Sequence, residues 1–218
     1  MQLHWSPRSP FVRKVMIVLH ETGQLDQVEL IRTLVALHLK PQEDVLAATP
    51  LGKIPALVTD QGQTLFDSRV ISEYLDTRAG TGIFPSDPTP RFKHLRWQAL
   101  GDGLTDILLL WRTELSRETG PWLAVTEGWL AKVRACLHQF ETEAEALSKA
   151  PFGIGQIAVI CGLGQLDFRW PDCEWRTHFP KLAQLERELS TRPSIAATAI
   201  TDDQTSGEND VTVGGLTF

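Results

Sequence analysis

The first residue whose type and position could support chemistry is Ser9. It stands directly before Pro10, where an apolar segment with helical periodicity begins. A serine at that point is typical of a helix N-cap, whose hydroxyl oxygen accepts a hydrogen bond from a free backbone N–H group. The same position places a hydroxyl beside the positive end of a helix, which stabilises an anion. The residues alone leave both interpretations open.

A second candidate stretch, Thr49–Pro55, directly precedes a predicted strand. Pro55 fits an ordinary trans proline at a strand start, where its missing N–H group does no harm. The alternative is a cis Ile54–Pro55 bond, a form found in about 5–6% of X–Pro bonds in folded proteins. A cis bond would direct the amide and carbonyl of Ile54 out of the sheet, toward a peptide-like ligand.

The third candidate is the pair Asp67 and Ser68, at a predicted strand-to-helix junction. An ordinary N-cap explains both residue types. A helix start is also a binding site for a carboxylate, and an aspartate beside it can bind an ammonium group. One zwitterionic ligand end would satisfy both residues.

Hydrophobic periodicity predicts the elements that position these residues in the order βαβαββα. The helix after Ser9 has a buried stripe and ends at Gly23, and Ser68 caps the last helix of this part. The stretch Val35–Ala48 predicts a poorly formed helix interrupted by Pro41. The predicted strands are Gln2–Trp5, Val28–Arg32, Ala56–Thr59 and Thr64–Asp67.

The rest of the chain is almost entirely helical in pattern. Apolar residues keep a helical period over Phe92–Leu115, Trp129–Leu147 and Leu182–Leu189. Gly153 with Gln156 three residues later predicts a further helix start. The Gly- and Pro-rich stretch between the two parts predicts a boundary, which gives a first domain at 1–80, a linker at 81–90, a helical domain at 91–200 and a flexible tail at 201–218.

Composition excludes several classes of partner. The 218 residues have a hydrophobic fraction of 42% and a formal net charge of −6. The ordinary apolar fraction argues against a disordered or fibrous chain. The negative charge provides no basic field to attract phosphates or an anionic membrane surface. We therefore expect neither a nucleic acid nor a membrane as partner.

Cysteine usage and apolar runs predict the compartment. Cys136, Cys161 and Cys173 have no C-x-x-C spacing, so they predict neither a disulfide framework nor a zinc site, and they fit a reducing compartment. The run Val15–Leu19 is too short for the core of a signal peptide, and Ile157–Gly164 is too short to cross a bilayer. We expect a soluble cytoplasmic protein without a metal.

Three motifs in this order resemble the glutathione S-transferase superfamily. They are Ser9-Pro-Phe-Val-Arg-Lys-Val15, Pro50-Leu-Gly-Lys-Ile-Pro55-Ala-Leu57 and Phe66-Asp-Ser68 with Ile71 and Tyr74. The helical remainder, with Ile157-Ala-Val-Ile-Cys161 and Leu166-Asp-Phe-Arg169, is similar to the C-terminal domain of small bacterial members, so the resemblance covers roughly residues 1–195. It implies a thioredoxin-like α+β domain followed by an all-helical domain. The implied activity is that of a glutathione transferase, which activates the glutathione thiol for attack on a small electrophile.

Carried over residue by residue, the resemblance assigns roles in the first domain. Ser9 becomes the hydroxyl that activates the thiol, with Ser6 as the alternative. Ile54 pairs through its backbone with the cysteinyl unit of glutathione, Pro55 is the cis-proline, and Asp67 and Ser68 hold the γ-glutamyl end. Lys53, with Lys40 as a second candidate, approaches the glycyl carboxylate.

Two positions depart from the family pattern. Thr49 stands where asparagine is usual before the proline. Gly153 and Gln156 replace the Ser/Thr and Asp of the capping box in the helical domain. Because glycine in place of a serine or threonine cap costs only a few tenths of a kcal/mol, we expect slightly weaker folding and retained function.

The electrophile is expected in a mostly apolar cleft between the domains. Leu104, Leu108 and Trp111 share one helical face of the second domain, and we expect them to form part of the wall. Conjugation, isomerisation, dehalogenation and reduction all stay open as the reaction. A serine rather than a cysteine at position 9 argues against disulfide exchange through a protein thiol.

The resemblance also implies a homodimer that pairs near the helix Val70–Tyr74, and a role in detoxification. The same fold serves non-catalytic binding proteins such as stringent starvation protein A, so fold alone does not define function. Because Ser9, Pro55, Asp67 and Ser68 are all present, we favour an enzyme over a regulatory binding protein.

Overall fold

The computed structural model describes residues 1–37, 40–203, 216 and 218. Its first part has the predicted element order βαβαββα. The elements are β1 (Gln2–Trp5), α1 (Pro10–Glu21), β2 (Glu29–Arg32), α2 (Glu43–Ala48), β3 (Ala56–Val58), β4 (Thr64–Leu65) and α3 (Ser68–Ala79).

The second part is helical, as the sequence predicts. Its elements are α4 (Pro88–Leu115), α5 (Leu123–Lys149), α6 (Ile154–Arg169), α7 (Trp175–His178), α8 (Pro180–Ser190) and α9 (Pro193–Ala197). Short 3-10 turns lie at Leu25–Gln27 and Pro171–Cys173. No helix within the described ranges is both long enough and apolar enough to cross a membrane.

The sheet has the strand order β2-β1-β3-β4. β1 pairs in parallel with β2 and antiparallel with β3, with His4 opposite Ala56. This register brings the C-terminal end of β1 and the N-terminal end of β3 to the same end of the sheet. The loop that carries Ser9 and the Ile54–Pro55 bond therefore meet at that end.

Two apolar clusters form the interior, and one of them joins the domains. The first contains Leu3 of β1, Leu57 of β3 and Ile71 of α3, and it also contains Ile154 and Ile157 of α6. The second lies within the helical domain, among α4, α5, α6 and α8. Because the first cluster continues into α6, apolar packing fixes the two domains against each other.

Two element boundaries differ from the sequence prediction. The helix predicted over Val35–Ala48 is present only after Pro41, as the six residues of α2, because proline cannot continue a helix through its own position. At the domain boundary α4 begins at Pro88, inside the stretch 81–90 predicted as linker. Proline is tolerated there because N–H groups in the first helical turn have no partner to lose.

The start of α6 explains one departure from the family pattern. Gly153 is the N-cap, and its N–H group donates to the side-chain oxygen of Gln156 at 3.2 Å. A Cβ atom at position 153 would lie 2.6 Å from the carbonyl oxygen of Ile83 and 2.9 Å from the ring of His94. Glycine is therefore required by close packing, while Gln156 keeps half of the capping box.

The described ends of the predicted tail contact the rest of the protein, while residues 204–215 and 217 lie outside the described residues. Asp202 accepts a hydrogen bond from Nε of Arg8 at 2.6 Å, and Asp203 accepts one from Nε of Arg32 at 2.7 Å. Leu216 is buried in the core of the helical domain. The segment that follows α9 is thus attached to the loop that precedes α1.

Candidate functional site

Ser9 caps α1 and still has a proton to give. Its backbone is extended, and its Oγ accepts a hydrogen bond from the N–H group of Val12 at 3.3 Å. Ser9 is only partly buried. Because a hydroxyl has one proton and two acceptor lone pairs, capping does not use the proton, and no described residue accepts it. The structural and the chemical interpretations of Ser9 are compatible.

Ser6 supports the loop around Ser9. It is buried, and its Oγ accepts a hydrogen bond from the N–H group of Arg8 at 3.4 Å. Its carbonyl oxygen accepts from the N–H group of Ser9 at 3.2 Å. Both contacts are internal to the turn between β1 and α1. Ser9 is therefore the better placed of the two hydroxyls to meet a ligand.

The bond between Ile54 and Pro55 is cis, as the second interpretation of this stretch predicted. Ile54 is buried, yet neither its N–H group nor its carbonyl oxygen forms a hydrogen bond with another described residue. Buried backbone groups normally have partners. A peptide-like ligand lying beside Ile54 would supply both a donor and an acceptor. Lys53, next to it, is exposed.

At the start of α3 the N-cap is Asp67 and not Ser68, which corrects the sequence prediction. Oδ1 of Asp67 accepts the N–H group of Arg69 at 2.9 Å. Ser68 is the first helical residue and is only 2% exposed. An aspartate accepts through two oxygens and reaches the N–H group two positions on, so it takes the cap. The side chain of Ser68 is thereby released for another contact.

A buried charge cluster lies behind Ser68 and joins three helices. Nζ of Lys14 in α1 donates to Oγ of Ser68 at 3.1 Å and also to Oδ1 of Asp102 in α4. Nε of Arg69 donates to the other oxygen, Oδ2, of Asp102 at 2.9 Å. Two cations share one carboxylate, so the three side chains carry a net positive charge. They lie at the N-terminal end of α3, where an anion is already favoured.

Asp106 lies one helical turn after Asp102 and faces the same cluster. Partial burial, and then repulsion from Asp102, raise the pKa of the Asp106 carboxyl, while the positive charges of Lys53, Arg69 and Lys14 oppose the rise. Lys53 is thus within electrostatic range of the start of α3. Three cations, Lys14, Lys53 and Arg69, thus interact at this site with three carboxylates, those of Asp67, Asp102 and Asp106.

The sequence interpretation missed Lys14, Arg69, Asp102 and Asp106. A signal for Lys14 exists, because it lies three and four positions before Ile17 and Val18, which are fully buried. A lysine on that apolar face must have a buried partner. Helical periodicity does not identify the partner, which comes from a distant helix.

Leu104, Leu108 and Trp111, expected in the wall of the electrophile cleft, lie elsewhere. Their exposed fractions are 0%, 0% and 5%, and all three pack in the core of the helical domain. The expectation was wrong because the same apolar period marks a face turned to the core. The opposite side of α4, with Asp102 and Asp106, faces the first domain.

The cysteines show no reactive environment. Burial raises the pKa of the Cys161 thiol to about 11, and burial also raises the pKa of Cys136. Among the described residues no group of three or more His, Cys, Asp or Glu side chains is arranged to hold a metal ion.

Comparison with known proteins agrees with this geometry. The family model for the glutathione S-transferase N-terminal domain matches residues 8–78. An uncharacterized GST-like protein of Escherichia coli K12, YibF, is 32% identical over 205 residues, which cover 91% of this chain and 98% of that protein.

Solved structures extend the likeness to nearly the whole chain. A glutathione transferase family member from Pseudomonas fluorescens Pf-5, with bound glutathione, is 43% identical with a TM-score of 0.87 and covers 92% of this chain and 99% of its own. A glutathione S-transferase from Methylobacillus flagellatus KT, with glutathione bound, is 35% identical with a TM-score of 0.82 and covers the same fractions.

A thioredoxin-like domain with a cis-proline before β3, joined to an all-helical domain, defines a protein of the glutathione-transferase type. The first domain matches the family model, and the whole-length relative is similar enough to extend that assignment to both domains. The chain belongs to the glutathione S-transferase family.

Proposed function

We propose that the protein is a glutathione transferase that binds glutathione along the end of the sheet where Ser9 and Ile54 lie, and that Ser9 activates its thiol. The observation that carries the proposal is a row of hydrogen-bonding groups without partners among the described residues. These groups are the hydroxyl proton of Ser9, the backbone amide and carbonyl of Ile54, and the N–H group of Ser68. A tripeptide with a thiol in the middle and a carboxylate at its end matches them in type and order.

Each part of glutathione has a complementary group. The cysteinyl unit pairs with the backbone of Ile54 as an added strand would. The γ-glutamyl carboxylate lies at the start of α3 against Ser68, and its ammonium group pairs with Asp67. Lys53 is exposed next to Ile54 and would approach the glycyl carboxylate.

The chemistry is activation of a thiol. A free thiol has a pKa of about 8.5, and a helix N-terminus with a hydrogen-bond donor lowers it, so that more thiolate is present at neutral pH. The O–H group of Ser9 donates to the sulfur, and the thiol proton passes to solvent. The sulfur lone pair then forms the new bond to the electrophilic carbon. In a substitution the leaving group departs with the electron pair of the bond that breaks.

The electrophile is proposed to be small. A cavity of about 330 Å³ lies against the turn between β1 and α1, and Trp5, Ser6 and Met16 are in its lining. Neither this cavity nor the one of about 380 Å³ between α1, α6 and α8 is lined by Ser9 or Ile54. We therefore assign the electrophile to neither of them.

We also propose a cytoplasmic homodimer. Val70 on α3 is 47% exposed, and Phe92 near the start of α4 is 69% exposed. Exposed apolar side chains on neighbouring helices favour a two-fold contact with a second copy. Light scattering that gives the mass of a single chain at micromolar concentration would contradict the dimer.

An activity assay tests the proposed function. The purified protein is assayed for glutathione conjugation of a generic aryl halide, beside Ser9→Ala and the matched control Ser6→Ala. Loss of the Ser9 hydrogen bond, worth about 1.5–3 kcal/mol when charged, should lower the rate about 10- to 100-fold. The Ser6 variant should keep most of its activity. A parent that binds glutathione but converts no electrophile would instead favour a non-catalytic binding protein.

A further inference from the structure

Lys14 is a charged residue in an apolar position. Its side chain has no solvent exposure, and its neighbours Val15, Ile17 and Val18 are in the core of the first domain. Burying an ammonium group is strongly unfavourable unless it is paired and fully hydrogen-bonded. Leucine or methionine would fill the same space at no such cost. The protein therefore gains something from the ammonium group that packing does not provide.

The hydrogen bond from Lys14 to Ser68 shows what the ammonium group provides. An ammonium group has three donors and no acceptor, so in the 3.1 Å contact the oxygen of Ser68 must be the acceptor. The hydroxyl proton of Ser68 then has to point away from Lys14. A serine inside a helix can donate that proton to a carbonyl one turn earlier. Ser68 is the first residue of α3, so no helical carbonyl precedes it, and no described residue accepts the proton.

The backbone N–H group of Ser68 leads to the same conclusion. Its N–H group also has no acceptor within the described ranges, as is usual for the first residue of a helix. The two donors of Ser68, one from the main chain and one from the side chain, are thus both free at the N-terminal start of α3. A carboxylate has two oxygens with which to accept them.

We propose that Lys14 is a positioning residue that sets the direction of the Ser68 hydroxyl for the γ-glutamyl carboxylate of glutathione. The inference rests on the proposed function. The ammonium group fixes the oxygen of Ser68 as an acceptor, and the proton is directed to the ligand. Asp102 neutralises Lys14 and holds it in place, and Arg69 shares the same carboxylate from the solvent side.

A purely structural role would have a different signature. The Lys14 and Asp102 pair also joins α1 to α4 across the domains, so its removal must lower stability in either case. A structural ion pair would affect glutathione binding equally with and without the Ser68 hydroxyl. A positioning residue acts only through that hydroxyl, so its effect must vanish when the hydroxyl is absent.

The test is a double-mutant cycle on the full chain. Calorimetry measures the Kd for glutathione in the parent, Lys14→Met, Ser68→Ala and the double variant. We expect Lys14→Met to raise Kd about tenfold in the parent, and less than about twofold when Ser68 is alanine. With an aryl halide, the KM for glutathione should rise while kcat at saturating glutathione stays within about twofold, because Lys14 does not touch the sulfur.

Arg192→Met is the control. Arg192 forms an ion pair with Glu21 of α1 at 2.8 Å, also between the domains and away from Ser68. Its loss should leave Kd unchanged. If melting shows that Lys14→Met does not fold, the combined change Lys14→Met with Asp102→Asn replaces it in the cycle, because the combined change leaves neither a buried ammonium group nor a buried carboxylate unpaired.

The outcomes separate the two proposals. A parent that binds glutathione, together with equal losses for Lys14→Met in both Ser68 backgrounds, would overturn the positioning role and leave the proposed function intact. A parent that binds no glutathione would overturn the proposed function, and the role of Lys14 with it.

Discussion

The starts of α1 and α3 each hold a serine hydroxyl by a hydrogen bond to its oxygen, and the two hydroxyls differ in burial and in the charge of the donor. At each start a serine oxygen accepts a hydrogen bond from a fixed donor, and the hydroxyl proton is left for a ligand. Ser9 is held by a neutral backbone N–H group at 3.3 Å and is partly exposed. Ser68 is held by a buried ammonium group at 3.1 Å and is 2% exposed. We infer that the hydroxyl of Ser68, proposed for the carboxylate, is held more firmly than the hydroxyl of Ser9, proposed for the sulfur.

The difference matches what each end of glutathione would do under the proposed function. The γ-glutamyl end would bind in the same way throughout the reaction, so a rigid site would cost no motion. The sulfur would change its charge and its bonding as it attacks, so its donor would have to follow a moving partner. The proposal therefore implies that the carboxylate end sets affinity and that the sulfur end sets reactivity.

The largest effect expected is on folding, from Asp102→Ala. That change leaves Lys14 buried without its counter-ion, and breaking a buried pair in this way costs about 3–5 kcal/mol. Urea unfolding measures the loss. Arg69→Ala is the control, because Arg69 is 52% exposed and its removal should cost no more than about 1 kcal/mol. Equal small losses in both variants would show that the site at α3 is no more rigid than the one at α1.

Asp67→Ala comes next and separates capping from binding. Asp67 and Asp87 each cap a helix through the N–H group two residues on, at 2.9 and 2.8 Å. Both alanine variants should lose about 1 kcal/mol of folding stability. Only Asp67→Ala should also weaken glutathione binding, by about 1–3 kcal/mol for a charge-assisted contact. Calorimetry that finds the same affinity in both variants would remove Asp67 from the site.

A third helix start, that of α6, gives the smallest effect and serves as a contrast. There the backbone N–H group of Gly155 donates a hydrogen bond to Nδ1 of His94 at 3.4 Å, deep in the interior. Burial, and then the charge of Lys93, lower the pKa of His94 below the usual 6.5. The unfolded chain then binds the proton more readily, so stability should fall as the pH drops below 6.5 toward the folded pKa.

Denaturation at several pH values checks this, with His94→Gln as the control. The glutamine variant should lose the acid-dependent part of the change between pH 7 and about pH 5 that His94 supplies. Glutathione affinity should respond equally to pH in both proteins, since α6 presents no free hydroxyl to the ligand. An unaltered stability profile in the variant would contradict the assignment to His94.

Much of the fold follows from sequence patterns because those patterns are local. The stripe after Ser9, with a proline at the first helical position, defines α1. The pair Gly153 and Gln156 marks the start of α6. Local chemistry also identified Ser9, Ile54 and Asp67 as candidates, since caps and turns are read from neighbouring residues.

What the sequence did not reveal depends on contacts between distant segments. Lys14 and Asp102 are 88 residues apart in the chain, and no period or spacing relates them. Leu108 and Asp106 lie on the same helix, and only the packing of α4 shows which of its sides faces the first domain. The sequence also did not show that the oxygen of Ser68, once Asp67 caps the helix, accepts a hydrogen bond from Lys14.

The most direct test of the account is the pKa of the glutathione thiol in the complex, measured by titrating the ultraviolet absorbance of the thiolate. In the parent the pKa should lie below the value of about 8.5 for a free thiol. In Ser9→Ala it should rise by about 1–2 units, which corresponds to the loss of a charged hydrogen bond of about 1.5–3 kcal/mol. A bound thiol with the ordinary pKa, or one that is unchanged by the loss of the Ser9 hydroxyl, would contradict the account.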